Sequence, residues 1–148
     1  MPTHNTAGRS RRAVNEWPAP TEVGACYTVC YAEPIGNTAD PRGRAQHYTG
    51  FALEHRLIPR LAEHRDGRCG IPIVMAFCAA GIPFTVVAVE HGVTRARENQ
   101  LKLCGARRRC LLHRGLPLSD ELEELNAKLG LDWTKAMELE LGQGLVTT

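Results

Sequence analysis

Read as a succession of apolar and polar positions, the chain shows three strand-like stretches. Residues 24–32, GACYTVCYA, carry no interior charge and are rich in Tyr, Val, Thr and Cys, the composition of a buried strand. The next stretch, EPIGNTADPRGRAQ, gathers two prolines, two glycines, Asn37 and Asp40, and reads as a loop. HYTGFAL at 47–53 is a second strand, so the pair forms a hairpin with a long connection. IPFTVVAVEH at 82–91, dense in β-branched residues, is the third.

Helical spacing fills the intervals. Pro59 suits a first helical turn, and Asp66 with Gly67 closes a helix over about 59–65. Leu57, just before it, and Leu61 mark a face for burial, while Arg60 and His64, also four apart, mark a second face free for chemistry. Residues 71–81 predict a buried helix with Ile71, Met75 and Cys78 at helical intervals. Thr94 is a candidate N-cap for an amphipathic helix that carries Glu98, places Ala96, Leu101 and Leu103 among charges, and stops at Gly105. Asp120 with Glu123 forms a capping-box pattern ahead of Leu122, Leu125 and Leu129, and Asp132 caps a last helix over 133–141.

At 148 residues the chain suits one domain with a sizeable core and a short appendage. Composition divides it into a flexible N-terminal arm, 1–23, with the arginine cluster Arg9, Arg11 and Arg12; a folded domain, 24–113; and an acidic helical segment, 114–148. The net charge of +2 is split into +1, +5 and −4 over these parts. A basic middle suits a phosphate backbone. The acidic tail suits covering an apolar face, homo-oligomer formation or masking of the basic domain. No apolar run spans a bilayer and no secretory segment opens the chain, so a cytoplasmic protein without membrane contact is expected. Its six cysteines are then expected as reduced, mostly buried thiols.

Four landmarks occur in order: Ala25-Cys26-Tyr27 in the first strand, Tyr48-Thr49-Gly50 ending the second, RLAEH at 60–64 on the following helix, and Glu98 on a later helix after the third strand. Together they resemble the GIY-YIG nuclease domain over residues 24–113. The resemblance implies an α/β fold, a small three-stranded antiparallel sheet flanked by helices, with the C-terminal helical segment appended. It implies a DNA endonuclease dependent on Mg²⁺ or Mn²⁺, with Tyr27, Tyr48, Arg60, His64 and Glu98 as catalytic residues and Glu98 as metal ligand. The chain departs from the family at Ala25 and Cys26, which replace glycine and isoleucine, and at Thr49, which replaces a second isoleucine. The interval between the two tyrosines is also longer. A catalytically inactive nucleic-acid-binding module of the same fold is the alternative.

The residue types suit phosphodiester hydrolysis, which needs an attacking water, a proton acceptor and positive charge for the phosphoryl oxygens. Arginine offers a planar fork that stays charged, and one carboxylate suffices for a hard ion that keeps most of its waters. A tyrosine with its ordinary pKa near about 10 needs a nearby cation to act as a base. His47 and Arg56 are further candidates in the same stretch, Arg56 falling before Pro59 and so outside the regular helix. DNA contacts are expected from Arg42 and Arg44 in the hairpin loop and from Arg107, Arg108 and Arg109. Cys104, Cys110 and His113 raise the question of zinc, because CLLH has ligand-like spacing. The second paired motif is missing, which favours ordinary side chains there.

Overall fold

The computed structural model describes residues 20–36 and 44–131; Arg9, Arg11, Arg12, Arg42 and the helix expected over 133–141 lie outside them. Strands β1 (Gly24–Gly36), β2 (Arg44–Leu53) and β3 (Phe84–Val93) form one antiparallel sheet in the order β2-β1-β3. Around it lie helices α1 (Leu57–Asp66), α2 (Pro72–Ala79), α3 (Arg95–Cys104), α4 (Ala106–Arg109) and α5 (Asp120–Leu129), with a 3₁₀ turn, Glu54–Arg56, leading into α1. This is an α/β fold with a three-stranded antiparallel sheet flanked by helices. No described helix is long and apolar enough to cross a membrane.

The uncharged run at the start of β1 lies in the middle of the sheet, and its first eight residues are all buried. β1 continues past the expected end at Ala32, through Pro34 to Gly36. Between the pairs Cys30↔His47 and Ile35↔Ala45 the register shifts, β1 advancing five positions while β2 advances two. Proline has no N–H to give a ladder, and an irregularity of this kind accommodates it.

The helices expected near 59–65, 71–81, 95–104 and 120–129 form there, and α4 follows Gly105 where no helix is expected, but the buried faces of α1 and α2 differ from those expected. On α1, Leu57, Leu61 and His64 are all buried. Their i, i+4, i+7 spacing makes one stripe, so the histidine shares the apolar face rather than standing apart on a solvent face with Arg60. On α2 the buried residues are Val74 and Phe77, whereas Met75 and Cys78 face outward. Phe77 stacks flat on Tyr31 of β1 with ring centroids 3.6 Å apart, and that contact selects the buried face. On α3 only Leu101 is buried, and Leu103 stands 89% exposed. Three of the six thiols, Cys26, Cys30 and Cys110, are buried; all six are free.

Helix α5 is capped by Ser119, whose Oγ accepts from Leu122 N at 3.3 Å, one residue before the expected Asp120. Leu122, Leu125 and Leu129 enter the same core as Ala25, Tyr27 and Val29 of β1. The acidic segment thus covers an apolar face of the sheet, one of the uses its sequence suggests. It also closes the open edge of β3. Asn126 Oδ1 accepts from Val86 N at 2.7 Å, and Asn126 Nδ2 donates to Val86 O at 3.0 Å and to Leu122 O at 2.8 Å. A single buried amide therefore satisfies both edge groups of Val86 in place of a fourth strand. Asn126→Leu leaves those groups unpaired and is expected to cost about 3 kcal/mol, read as a lower urea midpoint.

Candidate active site

Alternate residues of β1 share a face, and Ala25, Tyr27, Val29 and Tyr31 all enter the main core. Tyr27 stands opposite Gly50 on β2. A Cβ at Gly50 would lie 2.6 Å from Tyr27 Cζ and 3.0 Å from Tyr48 Cε2, and would strike the Tyr27 hydroxyl. Gly50 is not among the glycines with positive φ, so what it provides is space. The phenol crosses this gap and its Oη reaches His64 Nε2 on α1 at 2.6 Å. Tyr48 closes the group, its ring 6.4 Å from that of Tyr27 and 5.4 Å, edge-on, from that of His64.

Two charges face these rings. Arg60, one turn before His64, opposes the rise that burial imposes on the Tyr27 pKa. Its Nη1 donates to Glu63 Oε1 at 2.9 Å, and Glu63 Oε2 accepts from Arg56 Nη2 at 3.2 Å. Arg56 lies in the exposed 3₁₀ turn, so Arg60 is the arginine at the tyrosines. On α3, Glu98 Oε2 accepts from Lys102 Nζ at 2.8 Å, and the ammonium lies 5.7 Å from the centre of the Tyr48 ring. The Glu98 charge acts on both Tyr27 and Tyr48. The five residues expected from sequence are thus brought together. Lys102 and Glu63 were missed, although their i+4 and i+3 spacing from Glu98 and Arg60 is the signal for such pairs.

Burial dominates the electrostatics. His64 is 2% exposed, and burial, then Arg60, lowers its pKa to about 4. It is uncharged at neutral pH, with Nδ1 buried and without a hydrogen-bond partner among the described residues. Burial likewise raises both Tyr27 and Tyr48, so the phenols keep their protons. Glu98 offers one hard oxygen ligand of the kind that suits Mg²⁺ or Mn²⁺, provided the ion displaces Lys102. On the other face of the sheet the Thr49 hydroxyl lies 3.0 Å from that of Thr28 across the strands, and both are buried.

The expected DNA-binding arginines divide. Arg44 begins β2 opposite Gly36, and Arg107 and Arg108 are exposed on α4. Arg109 instead ties α4 to α3, donating to Leu101 O at 3.0 Å with its Nε buried. A cavity of about 440 Å³ beside α5 is lined by Tyr31, His64, Phe84 and Leu131, and the other candidate residues are not in its wall.

Two outcomes test this geometry. Between the ordinary histidine pKa of 6.5 and about 4, the unfolded chain binds a proton that folded His64 refuses. The stabilisation is complete above pH 6.5 and is lost as pH falls toward 4, by about 3 kcal/mol for this group. Urea titrations should therefore show a shallower acid decline for His64→Gln than for the parent; equal declines would remove His64 as the cause. Gly50→Ala forces the Tyr27 ring aside and should cost about 1–3 kcal/mol, measured by thermal unfolding.

The chain matches no protein-family model, no curated protein and no solved structure.

Proposed function

We propose that the chain is a divalent-metal-dependent DNA endonuclease of the GIY-YIG type, acting in the cytoplasm. The observation that carries the reading is the Tyr27–His64 hydrogen bond at 2.6 Å, with Tyr48 against it and the charges of Arg60 and Glu98 acting on the phenols. Arg60 binds the phosphoryl oxygens, since Glu63 occupies only part of its five-donor fork. Tyr48, half-buried, offers a hydroxyl to the phosphate or the water. Tyr27, pinned by His64, orients the water as a neutral phenol. Glu98 would hold Mg²⁺ or Mn²⁺, and such an ion supplies Lewis acidity and lowers the pKa of a water it binds. Arg107 and Arg108 supply backbone contacts to DNA.

Two observations favour a second reading, a nucleic-acid-binding module without turnover. Tyr27 is 1% exposed, and Lys102 already neutralises Glu98. Cleavage of duplex, flapped and branched DNA with Mg²⁺ or Mn²⁺ separates the two. On the endonuclease reading the parent cuts, while folded Arg60→Ala and Glu98→Ala each lose about a hundredfold or more in rate. Salt-sensitive retention of DNA without any cutting would transfer the assignment to the binding module.

A further inference from the structure

A second cluster lies on the sheet face away from Tyr27. Cys30 of β1 and His47 of β2 are direct cross-strand partners. Cys110 and His113, just after α4, close over them, and the four candidate ligand atoms all lie within 4.8 Å of one another. Cys104, the third candidate suggested by sequence, is exposed and is not part of the group. We propose that Cys30, His47, Cys110 and His113 form a structural Zn²⁺ site, independent of the nuclease reading and of Glu98.

The ligand chemistry selects the metal. Two thiols and two imidazoles suit tetrahedral zinc and not the hard ions that carboxylates hold. Zn–S near 2.3 Å and Zn–N near 2.0 Å give ligand–ligand edges of about 3.3–3.8 Å, and Cys30 Sγ lies 3.7 Å from His113 Nδ1. Four protein ligands leave no open position, the pattern of a structural centre rather than a catalytic one. Both cysteines are 1% exposed and form a small buried cluster with Val87, against which Leu112 and Leu118 pack. His47 Nε2 is buried beside Cys110 with no geometric hydrogen-bond partner among the described residues, which a metal bond would supply.

The outer contacts orient the ligands. Gln46 Nε2 donates to Tyr31 O at 3.0 Å, which leaves Gln46 Oε1 to face His113 Nε2 at 3.3 Å. That contact takes the proton on Nε2 and frees the Nδ1 lone pair toward Cys30, the arrangement usual for a metal-bound histidine. A metal here would fix the β1–β2 register and anchor the segment that follows Arg107 and Arg108 onto the sheet.

The test uses the whole chain purified under reducing conditions and loaded with Zn²⁺ or Co²⁺. One metal ion per chain is expected, and the Co²⁺ form should show tetrahedral d–d bands with a thiolate-to-cobalt charge-transfer band. Cys110→Ser and His113→Ala should weaken Zn²⁺ binding by more than the roughly 100-fold seen for losses in an outer shell, while Cys104→Ser and Cys78→Ser retain it. Gln46→Ala should keep the stoichiometry and lose about 10- to 100-fold in affinity. Should a ligand variant fail to fold, the parent's Co²⁺ spectrum and the two control variants decide the matter. Substoichiometric metal in the parent, a Co²⁺ spectrum without thiolate charge transfer, or equal loss in Cys104→Ser would overturn the proposal.

Discussion

The register between β1 and β2 is the constraint from which the two chemical faces of this molecule follow. A single alignment sets Tyr27 opposite Gly50, Val29 opposite Tyr48, Thr28 opposite Thr49 and Cys30 opposite His47. Because side chains alternate along a strand, the first two pairs turn toward α1 and the last two turn away. A slip of one residue would exchange the faces, carrying the tyrosines out of the core and the cysteines into it. The Thr28–Thr49 hydroxyl contact and the space above Gly50 both oppose such a slip. Thr49 is thus accounted for by the strand pairing of this chain.

On the tyrosine face, burial sets the protonation states. The Tyr27–His64 bond is enclosed by Leu57 and Leu61 on α1 and by the strand residues beside Tyr27. Desolvation disfavours the charged form of either partner, so phenol and imidazole both remain neutral. The charges stand at the border of the apolar group: Arg60 shares Glu63 with Arg56, and Glu98 is paired with Lys102. A neutral hydrogen-bonded centre with ionic groups around it is well suited to orienting a water and a phosphate. It is poorly suited to removing a proton without help from an added cation, which is why the proposed activity depends on a metal at Glu98.

The described part of the acidic C-terminal segment, up to Leu131, is bound into the fold through apolar contacts and one amide. Leu122, Leu125 and Leu129 extend the core that contains Tyr27, and Asn126 completes the edge of β3. Its charge also reaches the sheet end, where His91 of β3 lies between Glu54 at 2.9 Å and Glu121 at 2.5 Å. These two hydrogen bonds, Glu121 first, raise the His91 pKa, in the opposite direction to His64. The contrast follows from surroundings: His91 is largely in solvent beside two carboxylates, whereas His64 is enclosed beside an arginine.

The sequence by itself determined the order of the three strands and of the longer helices α1, α2, α3 and α5, the stops at Gly67 and Gly130, and the candidacy of Tyr27, Tyr48, Arg60, His64 and Glu98. The element order and the stops depend on local propensity and spacing, which a linear pattern records, whereas the candidacy of the five residues came from the resemblance of ordered landmarks to a known family. The buried face of α2 and the place of His64 were decided by tertiary contacts, with Tyr31 against Phe77 and with Tyr27 across Gly50. Cys110 and His113 were visible as a pair because they are three apart, but Cys104 was the wrong companion. The companions are Cys30 and His47, which come from the hairpin at the other end of the domain. Only the cross-strand register makes those two neighbours, and a register is fixed by packing on both faces of a sheet, which spacing along the chain does not encode.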